Sequence, residues 1–167
     1  MKILITGGKS SKSYKVLKAF NNYQVILADY GEVPSLITGS QQLISLGERN
    51  DEITAHHILT ACLDQQIEFL LPLHEFEIHA VSKSMILFEE FGITVLLPEA
   101  IDLPNYFYDQ EDASKGDNWA VYIKGDLIFS TDPADYVADL GRMKYLTGVF
   151  YVSQEINDLT AVLFTVD

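Results

Sequence analysis

Apolar and polar residues alternate in blocks through about residue 100, and the blocks are typical of strands and helices in turn. Residues 2–6 form a short apolar run, residues 14–20 repeat apolar positions at helical spacing, and residues 23–28 form a second apolar run. Two glycines at 7–8 join the first run to the helical pattern, and Asp29 follows the second run. This order of strand, glycine turn, helix, strand and acid predicts the opening βαβ unit of a Rossmann-like fold.

The same alternation predicts three further strands and two longer helices. The predicted strands are Gln41 to Leu46, Phe69 to Leu73 and Ile93 to Leu97, and the predicted helices are 53–66, capped by Asn50 to Glu52, and 74–91, ended by Gly92. Five strands alternating with helices predict an α/β fold with a five-stranded parallel, doubly wound sheet in the order 3-2-1-4-5. Ligands of such sheets bind beyond the carboxyl ends of the strands, beside strand 1.

The pattern changes after Pro98. Residues 105–118 are polar and acidic and predict a linker, and residues 119–130 predict a β-hairpin with a glycine turn. A helix that starts near Pro133 and two more strands complete the prediction. We therefore expect a Rossmann-like domain over 1–104 and a small α+β appendage over 105–167, unless the tail extends the edge of the main sheet.

The amino-acid composition limits the classes of partner and the cellular location that we expect for this protein. The 167 residues carry a formal net charge of −13, which argues against non-specific binding to nucleic acid or to an anionic membrane surface. Cys62 is the single cysteine and lies in an apolar stretch, so a buried, inert thiol is expected. The sequence has no apolar run of membrane-spanning length and no signal-peptide pattern, which predicts a cytoplasmic protein.

Polar residues gather at the predicted carboxyl edge of the sheet. The candidate ligand-binding residues there are Gly7, Gly8, Lys9, Ser10, Ser11, Asp29, His74 and Glu75. The glycine loop could hold a phosphate or carboxylate, although its spacing is neither that of a dinucleotide fingerprint nor that of a P-loop. Its alternative role is a flexible βα turn. Asp29 could bind a ribose or be an exposed strand-end acid, and the 74–77 segment could bind a ligand or cap a helix. No catalytic triad or metal motif is predicted.

Three stretches resemble the N-terminal, pre-ATP-grasp domain of ATP-grasp enzymes, and in particular the carbamoyl-phosphate-synthase large-subunit-like group. They are the opening at 3–8 with 17–20, the segment 69–77, and the segment 85–93. In that family ATP lies between two later subdomains, for which residues 105–167 are too short. The resemblance therefore implies no ATP-dependent ligation by this chain alone, and it implies that the glycine loop and the 74–75 pair face an acceptor substrate.

Three functional hypotheses follow. The preferred one is a stand-alone, non-catalytic pre-ATP-grasp-like domain that binds a small anionic metabolite or serves as a subunit of a split ATP-dependent ligase with an ATP-grasp partner chain. The second is an NAD(P)-binding oxidoreductase or sensor, which rests on the βαβ unit and Asp29. The third is a homo-oligomeric interaction protein, such as a homodimer, in which the acidic tail and its aromatics, Tyr106, Phe107, Tyr108 and Trp119, pack against another chain. No cofactor is required by the first hypothesis, and NAD(P) or ATP binding stays open.

Overall fold

The chain folds into two compact units. The computed structural model describes residues 1–34, the backbone of 37–38, and residues 41–107, 117–156 and 158–167. One unit comprises Met1–Val95 together with Thr165–Asp167, and the other comprises Leu96–Phe164. The predicted division lay between residues 104 and 105, and it assigned the last three residues to the second part.

A mostly parallel sheet forms the centre of the first unit. Its strands are β1 (Lys2–Ile5), β2 (Gln24–Asp29), β3 (Ile37–Thr38), β4 (Gln41–Ser45), β5 (Phe69–Leu71) and β6 (Thr94–Val95). The sheet order is β3-β4-β2-β1-β5-β6. The five strands from β4 to β6 are parallel and confirm the predicted order, whereas β3 is an unpredicted short strand that pairs antiparallel with β4.

The helices of the first unit are shorter than the patterns predict. They are α1 (Ser11–Val16), continued by a 3-10 turn (Leu17–Phe20), α2 (Thr54–Asp64), α3 (Glu75–Ser82) and α4 (Met85–Glu90). The single helix predicted over 74–91 is wrong, because the backbone leaves the helical region at Ser84. Serine side chains compete for backbone groups, and the Ser82 hydroxyl donates to the His79 carbonyl.

Gly92 ends α4 as predicted. Its φ of +76° is in the left-handed region, and the Gly92 and Ile93 N–H groups donate to the carbonyls of Glu89 and Phe88 at 2.9 and 3.0 Å. This pair of bonds is the Schellman motif, and it turns the chain into β6.

The core of the first unit lies on both faces of β1 and β5. Ile3, Leu4 and Ile5 are fully buried, as is Leu70, which is typical of parallel strands covered by helices on each side. Cys62 is also fully buried, and burial raises the pKa of its thiol to about 12. The predicted burial of this thiol is therefore confirmed.

The second unit has its own antiparallel sheet. Its elements are a 3-10 turn (Leu103–Tyr106), β7 (Trp119–Ile123), β8 (Asp126–Ser130), α5 (Asp135–Lys144), β9 (Gly148–Glu155) and β10 (Asp158–Leu163). The strand order β10-β9-β7-β8 confirms the α+β appendage and the hairpin. Most of the predicted linker, residues 108–116, lies outside the described residues. Within the described part of the chain, no helix is long and apolar enough to cross a membrane.

Candidate functional site

Side chains from three parallel strands and from the last residues of the chain meet at the carboxyl edge of the first unit's sheet. Thr6 follows β1, and Asp29 ends β2. His74 lies three residues after the end of β5 and directly before α3. We call this group the rim cluster and define it as Thr6, Asp29, Tyr30, His74, Glu77 and Asp167. The prediction that Asp29 and His74 share one edge of the sheet is borne out by their direct hydrogen bond.

Asp29 is an ionised acid whose oxygens are already engaged. Its Oδ2 accepts the Lys9 N–H at 2.9 Å, and its Oδ1 accepts the Tyr30 N–H at 2.9 Å and pairs with His74 Nε2 at 3.0 Å. Burial would raise the pKa of Asp29, but the hydrogen bonds to His74 and to the two N–H groups outweigh it and lower the pKa. The side chain is therefore a structural acceptor rather than an exposed strand-end acid.

His74 is held between two carboxylates. Its Nε2 lies 3.0 Å from Asp29 Oδ1, and its Nδ1 lies 3.0 Å from Asp167 Oδ1. Burial alone would lower the pKa of the imidazole, but the two hydrogen bonds and the nearby charges of Glu77 and Asp29 raise it to about 9. His74 is thus an imidazolium at neutral pH, with both ring N–H groups donating.

Asp167 reaches the rim from the other end of the sequence. Its Oδ2 accepts the main-chain N–H of Glu75, the first residue of α3, at 2.7 Å. The Val166 N–H donates to the Leu73 carbonyl at 3.0 Å, which fixes the preceding residue. Sequence reasoning missed Asp167, because no pattern indicates which rim an irregular segment will reach when it is so distant along the chain.

Glu77 is a buried acid in a separate branch of the cluster. It is fully buried and accepts the hydroxyls of Thr6 and Tyr30, the latter at 2.7 Å, together with the His74 N–H at 3.3 Å. Burial raises the pKa of Glu77, and these hydrogen bonds oppose the rise. Because Glu77 accepts the N–H of the residue before α3, the predicted helix-capping role of this segment is confirmed for Glu77.

The glycine loop is explained by its turn and its packing. The N–H groups of Gly8 and Ser10 donate to the carbonyls of Ala28 and Gly7, at 3.0 and 2.9 Å. A Cβ on Gly8 would lie 2.7 Å from Leu43 Cδ1 and 3.0 Å from Leu27 Cβ, so a side chain there would require Leu43 to shift. Ser10 caps α1 by accepting the Lys12 N–H at 3.2 Å. The N–H groups of Gly8, Lys9 and Ser10 are therefore used within the chain. Ligand binding by Gly7, Gly8, Lys9, Ser10 and Ser11 stays a prediction.

Aromatic rings and two cations flank the cluster. The Phe76 ring stacks on His74 with centroids 5.4 Å apart and lies 5.3 Å from the Tyr30 ring. The Arg49 guanidinium lies 3.7 Å above the centre of the Phe76 ring, and the Lys9 ammonium donates to the Tyr30 carbonyl. The cationic side chains of His74, Arg49 and Lys9 therefore lie at this edge together with the carboxylates of Asp29, Glu77 and Asp167.

The described residues contain no group of three or more His, Cys, Asp or Glu side chains placed to hold a metal ion. Neither a family model nor a curated protein matches the chain.

Proposed function

We propose that the chain is a pre-ATP-grasp-like binding domain that takes a small anionic metabolite at the rim of its first unit and has no ligase activity alone. It acts by itself or as one subunit of a split ATP-dependent ligase, with an ATP-grasp chain as its partner. The five parallel strands in the order β4-β2-β1-β5-β6 support this proposal, because ligands of such sheets bind at the carboxyl edge beside β1.

One observation carries the anion-binding part of the proposal. The Asp167 carboxylate is bound by the Glu75 N–H at 2.7 Å and by His74 Nδ1 at 3.0 Å. A charged ring and a main-chain N–H at a helix start form charge-assisted bonds to carboxylates and phosphates. Arg49, whose pKa is raised by its bond to Asp51 and further by the charges of Asp51 and Asp167, adds positive charge near this carboxylate.

The direct test is a titration with succinate and with inorganic phosphate, followed by calorimetry and by NMR of the histidine rings. We expect both anions to shift the His74 resonances. His74→Gln should weaken binding about tenfold or more, because a hydrogen bond to a charged group is lost. His56→Gln is the matched control, since His56 is exposed on α2. Absence of binding, or equal binding by both variants, would contradict the proposal.

The non-catalytic part has a separate test. The pure chain with ATP, Mg²⁺ and candidate carboxylates should form no ligated product, and ligation by the pure chain would overturn this part. A pull-down at native expression level addresses the partner. Recovery of an ATP-grasp chain supports the split-ligase version, whereas recovery of the chain alone favours an independent binder.

The two other hypotheses have less support. To bind an NAD(P) ribose, the Asp29 carboxylate would have to accept hydrogen bonds from the ribose hydroxyls, but three donors of the chain already bind it. A fluorescence titration with NADH and NADPH tests this hypothesis directly. The homo-oligomer hypothesis relied on tail aromatics, of which Tyr106 and Trp119 are buried within the second unit. Phe107 is half-buried, and Tyr108 lies outside the described residues.

A further inference from the structure

Val166 and Asp167 are fastened to the rim at three points. The Val166 N–H donates to the Leu73 carbonyl at 3.0 Å. The Val166 side chain fills the space that a missing Cβ leaves at Gly7, where a Cβ would lie 2.9 Å from Val166 Cγ2. The Asp167 carboxylate binds His74 Nδ1 at 3.0 Å and the Glu75 N–H at 2.7 Å.

The fastening is local, and solvent reaches its far end, because Thr165 is buried, Val166 is half-buried and Asp167 is exposed. Residues 164–167 belong to no strand or helix, and β10 ends at Leu163. The Asp167 side chain is 43% exposed. A group that water reaches, and that is held by a few hydrogen bonds on an irregular segment, can open locally without unfolding the sheet.

From this arrangement we propose that residues 166–167 are a releasable latch, and that a small carboxylic acid binds the rim by taking the place of the Asp167 carboxylate. The inference rests on the proposed function and names the contact that its ligand must replace. When Asp167 leaves, His74 keeps Asp29 as its partner at 3.0 Å. The two donors set free are His74 Nδ1–H and the Glu75 N–H.

The Asp167 carboxylate, which binds His74 Nδ1 and the Glu75 N–H, indicates the chemical class of the ligand that could replace it. Two donors 3.0 and 2.7 Å from the two oxygens of one carboxylate match a second carboxylate in number and spacing. A neutral amide offers one acceptor oxygen and a competing NH₂ group. The site should therefore prefer succinate to succinamide.

The test compares succinate binding to the full chain and to Asp167→Ala, measured by calorimetry. If the state with Asp167 released is populated at about 10% or less, the apparent affinity of the unchanged chain for succinate is lowered about tenfold or more. Asp167→Ala removes this competition, so we expect it to bind succinate about tenfold tighter or more. Glu89→Ala is the control, because it removes one exposed acid from α4, away from the rim cluster, and it should bind as the unchanged chain does.

A second variant separates the latch from simple charge removal. Val166→Ala loosens the segment without changing any charge, and it should also tighten succinate binding, though less than Asp167→Ala. Amide exchange gives an independent readout, since the Glu75 N–H should exchange faster in both variants. Circular dichroism shows whether each variant is folded.

The outcomes are distinguishable. Tighter binding of succinate by both variants, with faster Glu75 exchange, supports the latch. Equal affinity in the unchanged chain and in both variants overturns the latch and leaves the proposed function standing. Tighter binding by Asp167→Ala alone also overturns the latch, because charge removal explains it. If neither the unchanged chain nor either variant binds succinate or phosphate, the proposed function fails, and the latch proposal fails with it.

Discussion

His74 shows how a single residue's environment at the rim sets its charge. The ring faces Asp29 and Asp167 directly, and Glu77 lies close enough to add to the negative potential. Burial opposes charge on the imidazole, yet two charge-assisted hydrogen bonds outweigh that cost. The result is a fixed positive charge in a chain whose acids greatly outnumber its bases.

This environment predicts a loss of stability in alkaline solution. The folded pKa of His74, about 9, lies above the ordinary value of 6.5, so its contribution is complete below about pH 6.5 and disappears as the pH rises through about 9. With partial solvent screening, the free energy of unfolding should fall by about 1–2 kcal/mol. Thermal unfolding between about pH 6 and pH 10 measures this. His74→Gln should flatten the decline and His56→Gln should not; a decline unchanged in His74→Gln would refute the assignment.

Sequence reasoning located part of the rim cluster and missed the rest for identifiable reasons. Asp29 and His74 could be placed because each follows a predicted parallel strand, and such strands end at one edge of the sheet. Tyr30 lies in a turn-rich stretch with no periodic pattern, and Asp167 follows an irregular segment. Their contacts depend on tertiary structure that neither apolar spacing nor short motifs encode.

At the scale of elements, long buried strands were predictable and short or edge elements were not. β1, β2 and β5 are nearly continuous apolar runs, so their positions follow from the sequence. β3 has two residues, too few for any alternation to show. The break between α3 and α4 was missed because apolar spacing continues across Ser84, while the backbone does not remain helical there.

The β7–β8 hairpin supports an engineering prediction. Lys124 and Gly125 form its two-residue turn with φ of +49° and +85°, as a type I′ turn requires. Lysine tolerates this conformation poorly and asparagine tolerates it well, and the Lys124 main-chain bond to Thr147 does not depend on the side chain. Lys124→Asn should therefore raise the free energy of unfolding by about 0.5–1 kcal/mol.

Chemical denaturation measures the effect of Lys124→Asn, with Lys144→Asn as the control for charge. Lys144 is the exposed last residue of α5, and its backbone is helical. Its substitution removes the same charge without relieving any backbone strain. If the two variants changed stability equally, relief of strain at the hairpin turn would not be the cause.

At the scale of the whole molecule, the predicted boundary and the boundary between the two compact units lie at different residues. The apolar–polar pattern changes after Pro98, close to the boundary between the two compact units at Val95 and Leu96. The polar composition of residues 105–118 moved the predicted boundary further along the chain. The return of Thr165–Asp167 to the first unit could not be predicted, because three residues carry no fold signal of their own. Their importance lies in the contacts with His74 and Glu75.

The net charge of −13 predicts how the whole molecule responds to salt. Like charges repel in the folded chain, and sodium chloride raised from about 10 to about 150 mM shortens the screening length from about 30 to about 8 Å. The melting temperature should therefore rise, by about 2–4 °C for a gain of about 1 kcal/mol. A fall on adding sodium chloride would mean that attractive ion pairs outweigh the repulsion.

Sodium phosphate at the same ionic strength separates screening from binding. Screening depends on ionic strength, whereas a bound anion stabilises the folded state by mass action. If the rim binds oxyanions, phosphate should raise the melting temperature beyond the value in sodium chloride. His74→Gln should lose this additional rise in phosphate, because anion binding depends on the His74 imidazolium. The variant should keep its response to sodium chloride, because screening does not depend on His74. Equal curves for the two salts in the unchanged chain would place the whole effect in screening and would count against an anion site at the rim.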